Sequence, residues 1–470
     1  MSRQVTIIAL VLVLGVSSVY LGQAVVSSPD IGLGILIGGL AAAICFAIVM
    51  LEKHDRRFLI RLFMAALGLR WFVGYAIFHN NLQNRIGPDT ATYDYFGDLL
   101  CQTWQGLVPP QWVSGYLSLS RSGWGMYYYV ASVYYLFERN PLAILLINCA
   151  LGAISCIIIY KIAYLVYPEQ RVARMAAILT AVSPSMVLWT AQGMKESPIV
   201  FCLCLCALFT LKLCHKFNIT HSLLLILPLF GLYSLRHYVF YVIFVAIAGA
   251  LLFTARKFTP IRALQGMVLV TFIGLTFAYF GAGEVAQKSL DLKRIQESRV
   301  WGAKAANSGY GADVDITDTR AALIFLPVGI VYILLAPFPW MVNNLGQVLT
   351  LPEMLVWWAA VPLLFKGYWY SIRKRLPESL TICIFTLGLT LAYALFQTNA
   401  GTVHRQRTQL FVFFFVFVSI GWELRRSAKL KRQAQVARRR LKLPSLVPVT
   451  TPKPMVCNAI RQRFDQSESY

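Results

Sequence analysis

PLAILLINCALGAISCIIIYKIAYLV, Pro141 to Val166, decides the fold: it is apolar from end to end, with Lys161 as its one charge. About 20 helical residues cover the roughly 30 Å of a bilayer's hydrocarbon, and this run is long enough. The rest of the chain has the same character. Of 470 residues, 58% are hydrophobic and 13% charged, and the mean hydropathy is +0.61, which predicts an all-α integral membrane protein. The formal net charge of +23 would suggest nucleic acid in a soluble chain. Here the basic residues stand between apolar runs and in the tail, the pattern that sets membrane orientation, so no nucleic-acid partner is expected. The ten cysteines mostly lie within apolar segments. Cys202, Cys204 and Cys206 point around a helix instead of converging, which argues against both a disulfide framework and a zinc site.

Upstream, Val5 to Ala24 and Ile31 to Met50 are apolar across a short SSPD turn. The first could be a signal peptide, but its core is long for one and a second span follows at once, so both read as spans. The basic EKHDRRFLIR, Glu52 to Arg61, places its side in the cytoplasm, and the next span, ending near Phe78, delivers the chain to the outer face. Residues 79–140 read as an outer loop on the membrane, with Trp104, Trp112 and Trp124 at headgroup level. Met126 to Phe137 is short and reads as interfacial.

Downstream, Val172 to Thr190 returns outward and Pro198 to Leu213 inward. His221 to Ala255 satisfies the charge rule best as two short spans meeting at Arg236 and His237, their tip outside. Ala263 to Phe280 leads to a second outer loop, 281–351. Within it Ala321 to Thr350 reads as re-entrant or interfacial, because a full crossing would leave Arg373 to Arg375 outside. Leu351 to Tyr370, Leu380 to Phe396 and Thr402 to Trp422 complete about twelve spans, with both termini cytoplasmic in an inner membrane. Residues 1–424 thus form a transmembrane domain. Residues 425–470 form a basic, largely disordered cytoplasmic tail, whose RRSAKLKRQAQVARRR anchors the topology and has some affinity for anionic lipid.

The acids of the first outer loop sit in GPDTATYDYFGDLL, Gly87 to Leu100. If Pro88 opens a helix, Asp89 lies in its first turn and shares a face with Tyr93, while Asp94 and Asp98 pair on another. The positive end of that helix favours an ionised Asp89, suited to a proton acceptor or a cation ligand; a helix cap with solvated carboxylates is the competing reading. By this topology Gln192, Lys195, Glu196, Arg236, His237, His404, Arg405 and Arg407 reach the same outer side. Charges at the starts of spans are costly unless they face a cavity or a partner; snorkelling or mutual pairing is the alternative for each one singly. Residues two apart on a helix point nearly oppositely, so at most one of the two arginines faces the cavity, and Thr408 and Gln409, which share its face, favour Arg405. An acid on one wall and cations on another suit group transfer from a lipid phosphate, the acid taking a proton from an acceptor hydroxyl.

These stretches, with SGWGMYYYVASVYYLFERNPLAILLINCALGAISCIIIYKIAYLVYPEQRVARMAAILTAVSPSMVLWTAQGMKES, resemble the GT-C superfamily of polytopic glycosyltransferases over roughly Arg57 to Leu213. NAGTVHRQRTQ, Asn399 to Gln409, resembles the arginine-bearing start of a late span in bacterial exopolysaccharide proteins of this kind. The resemblance implies a GT-C-like fold, a polyprenyl-phosphate-linked sugar donor, a cell-envelope glycan or lipid acceptor, and Asp89 as catalytic acid with Asp94 behind it. Lys195, Glu196, Arg236, Arg405 and Arg407 fall on the substrate and phosphate side. The His-Pro-Pro stretch common among mannosyltransferase-like members is replaced by GWGMYYY, so their acceptors are not carried over. A polymerase or ligase using polyprenyl-diphosphate oligosaccharides shares the architecture. A lipid or glycan transporter should show inverted repeats, which the sequence does not. Asp313 and Asp315 spell a DxD that could hold a divalent cation, but no metal ligand or cofactor is assigned.

Overall fold

The computed structural model describes residues 29–115, 123–253, 260–304, 309–311, 314–341 and 345–440. Val5 to Ala24, Asp313 and the tail beyond residue 440 lie outside them. The chain divides into two units, Met1–Trp422 and Glu423–Tyr470. Among the described residues the regular elements are helices; an isolated antiparallel bridge joins Gly309 to Asn399.

The first unit begins with α1 (Pro29–Met50) and α2 (Arg56–His79), followed by α3 (Gln83–Ile86), α4 (Asp89–Trp104), α5 (Gln111–Ser114) and α6 (Trp124–Phe137). Next come α7 (Pro141–Val166), α8 (Gln170–Val182), α9 (Pro184–Thr190), α10 (Glu196–His215), α11 (Ile219–Leu235) and α12 (His237–Phe253). Then follow α13 (Pro260–Tyr279), α14 (Ala282–Leu290), α15 (Leu292–Lys304), α16 (Thr319–Leu335), α17 (Leu345–Lys374), α18 (Leu376–Phe396), α19 (Ala400–Gln406) and α20 (Thr408–Arg440).

Apolar on every side, α7 can only be buried, and it packs against α1, α2, α8 and α10. Gly38 brings α1 close: a Cβ there would lie 2.4 Å from the Cβ of Leu146, the small-residue contact that draws membrane helices together. At the other end of α7, Arg174 bonds both oxygens of Asp55 at 2.5 and 2.6 Å and Lys161 pairs with Glu52, fastening α7 and α8 to the α1–α2 turn.

Among the described residues six helices are long and apolar enough to cross a membrane, or seven if α8 and α9 count as one bent span. Four further apolar helices are shorter than that measure. The membrane character is plain, and the described residues do not by themselves establish the expected dozen spans.

The outward run Val172 to Thr190 is not one helix: α8 and α9 meet at 58°. Pro184 has no N–H to donate and turns Ser183 out of the helical region, to ψ 124°. The carbonyls freed at the break are taken by Arg70 of α2, which is fully buried. Its guanidinium donates to the carbonyls of Thr180 and Ala181, each at 3.2 Å, and to Thr190 Oγ1 at 2.9 Å. Arg236, in extended backbone, separates α11 from α12 where the sequence places the junction. It is only 2% exposed, so this junction is an interior one. Ala321 to Thr350 comprises most of α16, a short 3-10 turn at Pro339–Met341 and the start of α17.

Residues 79–140, expected as an outer loop, carry α3 to α6, with α4 packed on α6. Residues 281–351, the second such segment, are tied to the link between α18 and α19. Arg299 of α15 donates to the Leu395 carbonyl at 2.6 Å, Thr398 Oγ1 donates to the Arg299 carbonyl at 2.7 Å, and Tyr310 N–H to the Thr398 carbonyl at 2.8 Å. The described part of the second unit is the last stretch of α20, basic and largely exposed, with Ser427 donating to Glu423 at 3.0 Å.

Candidate functional site

Asp89 begins α4 directly after Pro88, as the sequence indicates. Its side chain does not cap the helix. Oδ2 accepts instead from Arg405 Nη1 at 2.7 Å. The backbone around it rests on the loop 191–195. Asn148 of α7 pins that loop by donating to the carbonyls of Gln192 and Met194 at 2.7 and 2.9 Å, and Ser197 Oγ donates to the Asn148 carbonyl at 2.6 Å. A Cβ on Gly87 would lie 2.5 Å from Gln192 Oε1 and from Met194 Sδ. The start of α4 thus packs tightly against the side chains of Gln192 and Met194, next to Lys195 and Glu196.

Glu196 opens α10 and is fully buried. Its Oε1 stands 3.1 Å from both Arg236 Nη2 and Arg405 Nε, so one carboxylate holds two guanidiniums on one site. A buried carboxylate is tolerated only when paired in this way. Glu196 Oε2 and Arg236 Nη1 are buried with no hydrogen-bond partner. Lys195 lies just before the span, with Nζ 5.9 Å from the centre of the Tyr93 ring. Among the described residues no carboxylate is within ion-pair distance of it. Burial, then the neighbouring Arg236, lowers its ammonium to about 8. Three cations thus face two carboxylates, and Asp89, 40% exposed in its side chain, is the open member of the group.

Two of the residues singled out in the sequence stand apart. Asp94 accepts from the Tyr134 hydroxyl at 2.6 Å and from Arg139 at 2.6 and 3.3 Å, and Arg139 also approaches Asp98 at 3.6 Å. This cross-link holds α4 to α6. Arg407 turns away from Arg405, as their spacing requires, and donates to the Ala336 carbonyl and to Met354 Sδ. Among the described residues no cluster of three or more His, Cys, Asp or Glu could hold a metal ion, and Asp315 spends its carboxylate on the Thr317 N–H at 2.9 Å.

The sequence reading passed over Arg70, Asn148 and Glu353. Each is a polar residue within an otherwise apolar run, and that isolation is the signal that marks them.

The fold is that of a polytopic membrane protein, and it gathers three cations and two carboxylates into one largely buried cluster. Residues 123–280, which include Lys195, Glu196 and Arg236, match the family model of dolichyl-phosphate-mannose-protein mannosyltransferases, a GT-C superfamily family of membrane glycosyltransferases that use polyprenyl-phosphate-linked sugars. The resemblance to the GT-C superfamily is thereby shown on this stretch. No curated protein matches the chain.

Proposed function

We propose that the protein transfers a sugar from a polyprenyl-phosphate carrier to a cell-envelope glycan or lipid, at the outer face of the membrane. The observation that carries this reading is the contact of Asp89 with Arg405 at 2.7 Å, beside a Glu196 that also binds Arg236. A donor phosphate competes with Asp89 for Arg405, and a guanidinium is shaped to take two phosphate oxygens. Once Arg405 turns to the phosphate, Asp89 is free to act as a base. The acceptor oxygen bonds to the anomeric carbon and its proton passes to Asp89. The bond from that carbon to the phosphate oxygen breaks, and its electron pair leaves with the polyprenyl phosphate. Arg405, Arg236 and Lys195 stabilise the charge on the departing phosphate. A positioned base supplies about 10²–10⁴-fold, so the cations contribute much of the remainder. The basic segments at Glu52 to Arg61 and Arg425 to Arg440 support an orientation with both termini in the cytoplasm.

The test is Asp89→Asn, which keeps size and removes the base, expressed at matched membrane levels in a deletion strain. Lipid-linked sugars and surface glycans are followed by mass spectrometry. Failure to restore the missing glycan, with a lipid-linked sugar accumulating, supports the proposal; full restoration refutes it.

A further inference from the structure

Glu353 is the only acid of α17, and its side chain is only 9% exposed. It accepts from Ser183 Oγ at 2.6 Å, Ser185 Oγ at 2.7 Å and Ser185 N–H at 3.0 Å, all at the break between α8 and α9. On its other side Oε2 stands 3.5 Å from His404 Nε2. His404 Nδ1 accepts from the Trp189 indole N–H at 3.2 Å. With Nδ1 accepting that bond, Nε2 is the ring nitrogen left to face Glu353, at 3.5 Å and without completing a hydrogen bond. The broken helix pair, α17 and α19 therefore close on one imidazole, and the next residue in the chain is Arg405.

A helix of seven residues does not hold its own shape, so the direction of each α19 side chain is set by what grips its neighbours. Asn399 Oδ1 caps the start of α19 through Gly401 N–H at 2.9 Å. His404 is held by Glu353 and Trp189, and Arg407 by Met354, the residue after Glu353. With both flanks fixed against α17, Arg405 is left pointing at Asp89 and Glu196.

We infer that Glu353 and His404 are positioning residues for Arg405, locking the turn that presents its guanidinium to the donor phosphate. The link to phosphate rests on the function proposed above. The mechanical coupling does not, and the two are tested separately.

The experiment uses the full chain in lipid nanodiscs and reads thermal unfolding of the wild type, Asp89→Asn, His404→Phe and the double variant. If His404 holds Arg405 against Asp89, removing Asp89 destabilises the wild type but has much less effect in the His404→Phe background. His404→Gln, which keeps an N–H for Glu353, restores the sensitivity. Additive effects overturn the inference. Should His404→Phe fail to fold, Glu353→Gln takes its place in the same cycle.

Binding of citronellyl phosphate, a short isoprenyl phosphate, supplies the second readout. Glu353→Gln and His404→Phe weaken it by roughly tenfold or more, the loss expected when a charge-assisted hydrogen bond is misplaced, and His404→Gln by less. Coupling in the cycle without binding of the phosphate by any form leaves the positioning intact and removes the phosphate-transfer reading. Binding that depends on Arg405 yet ignores Glu353 and His404 overturns the positioning.

Discussion

Asp89 and Arg405, 316 residues apart in the chain, meet at 2.7 Å between the start of α4 and the short helix α19. Glu196 lies behind the arginine at 3.1 Å and shares it with the carboxylate in front. A cation held by two acids on different elements is pre-organised, and an incoming phosphate need displace only the more exposed of them, Asp89.

Arg405→Lys keeps the charge and loses the planar fork. Because one ammonium cannot span Glu196 and a phosphate as the guanidinium does, transfer should fall by about 10²–10³-fold, as it does when one pre-organised donor is removed. Initial rates on a polyprenyl-phosphate sugar in nanodiscs measure this. A lysine variant as active as wild type would show that only net charge matters.

Glu196→Ala leaves Arg236 buried without its carboxylate. Breaking a buried pair typically costs about 3–5 kcal/mol, so this variant should unfold at a distinctly lower temperature than Asp89→Asn, whose side chain is 40% exposed. Thermal unfolding of the two variants side by side ranks them, and the reverse order would contradict the arrangement described.

Lys195 gives a pH dependence with opposite signs in rate and stability. Its ammonium is lowered to about 8, so the cation is lost as pH rises through that value and transfer should decline above it. Between about 8 and the ordinary lysine value of 10.5 the unfolded chain binds the extra proton, so folded stability should rise with pH over the same window. Lys195→Arg should remove the decline in rate. A decline that persists unchanged in that variant assigns it to another group.

Asp94→Asn weakens the cross-link to Arg139 without touching the site. Arg139 is 52% exposed in its side chain and such pairs contribute roughly 0–1 kcal/mol. Activity should therefore stay within about tenfold of wild type, the change expected from a modest shift of α4. A loss matching that of Asp89→Asn would make Asp94 part of the chemistry.

Legible in the local sequence were the membrane character, the helix opening at Pro88 with Asp89 in its first turn, the junction at Arg236, and the divergence of Arg405 from Arg407. These follow from local rules: apolar length against bilayer thickness, the N-terminal position of proline, charge asymmetry and the 3.6-residue repeat. The packing of the helices settled that Asp94 is spent on Arg139, that Glu196 joins two arginines, and that Arg70 fills the break before Pro184. It also decided that Glu353 and His404 close beside Arg405. Each of these is a pairing between residues far apart in the chain. A buried charge announces in the sequence that it must have a partner, because leaving it unpaired in an apolar interior is too costly. Which partner it takes depends on how the helices pack, and no local pattern carries that information.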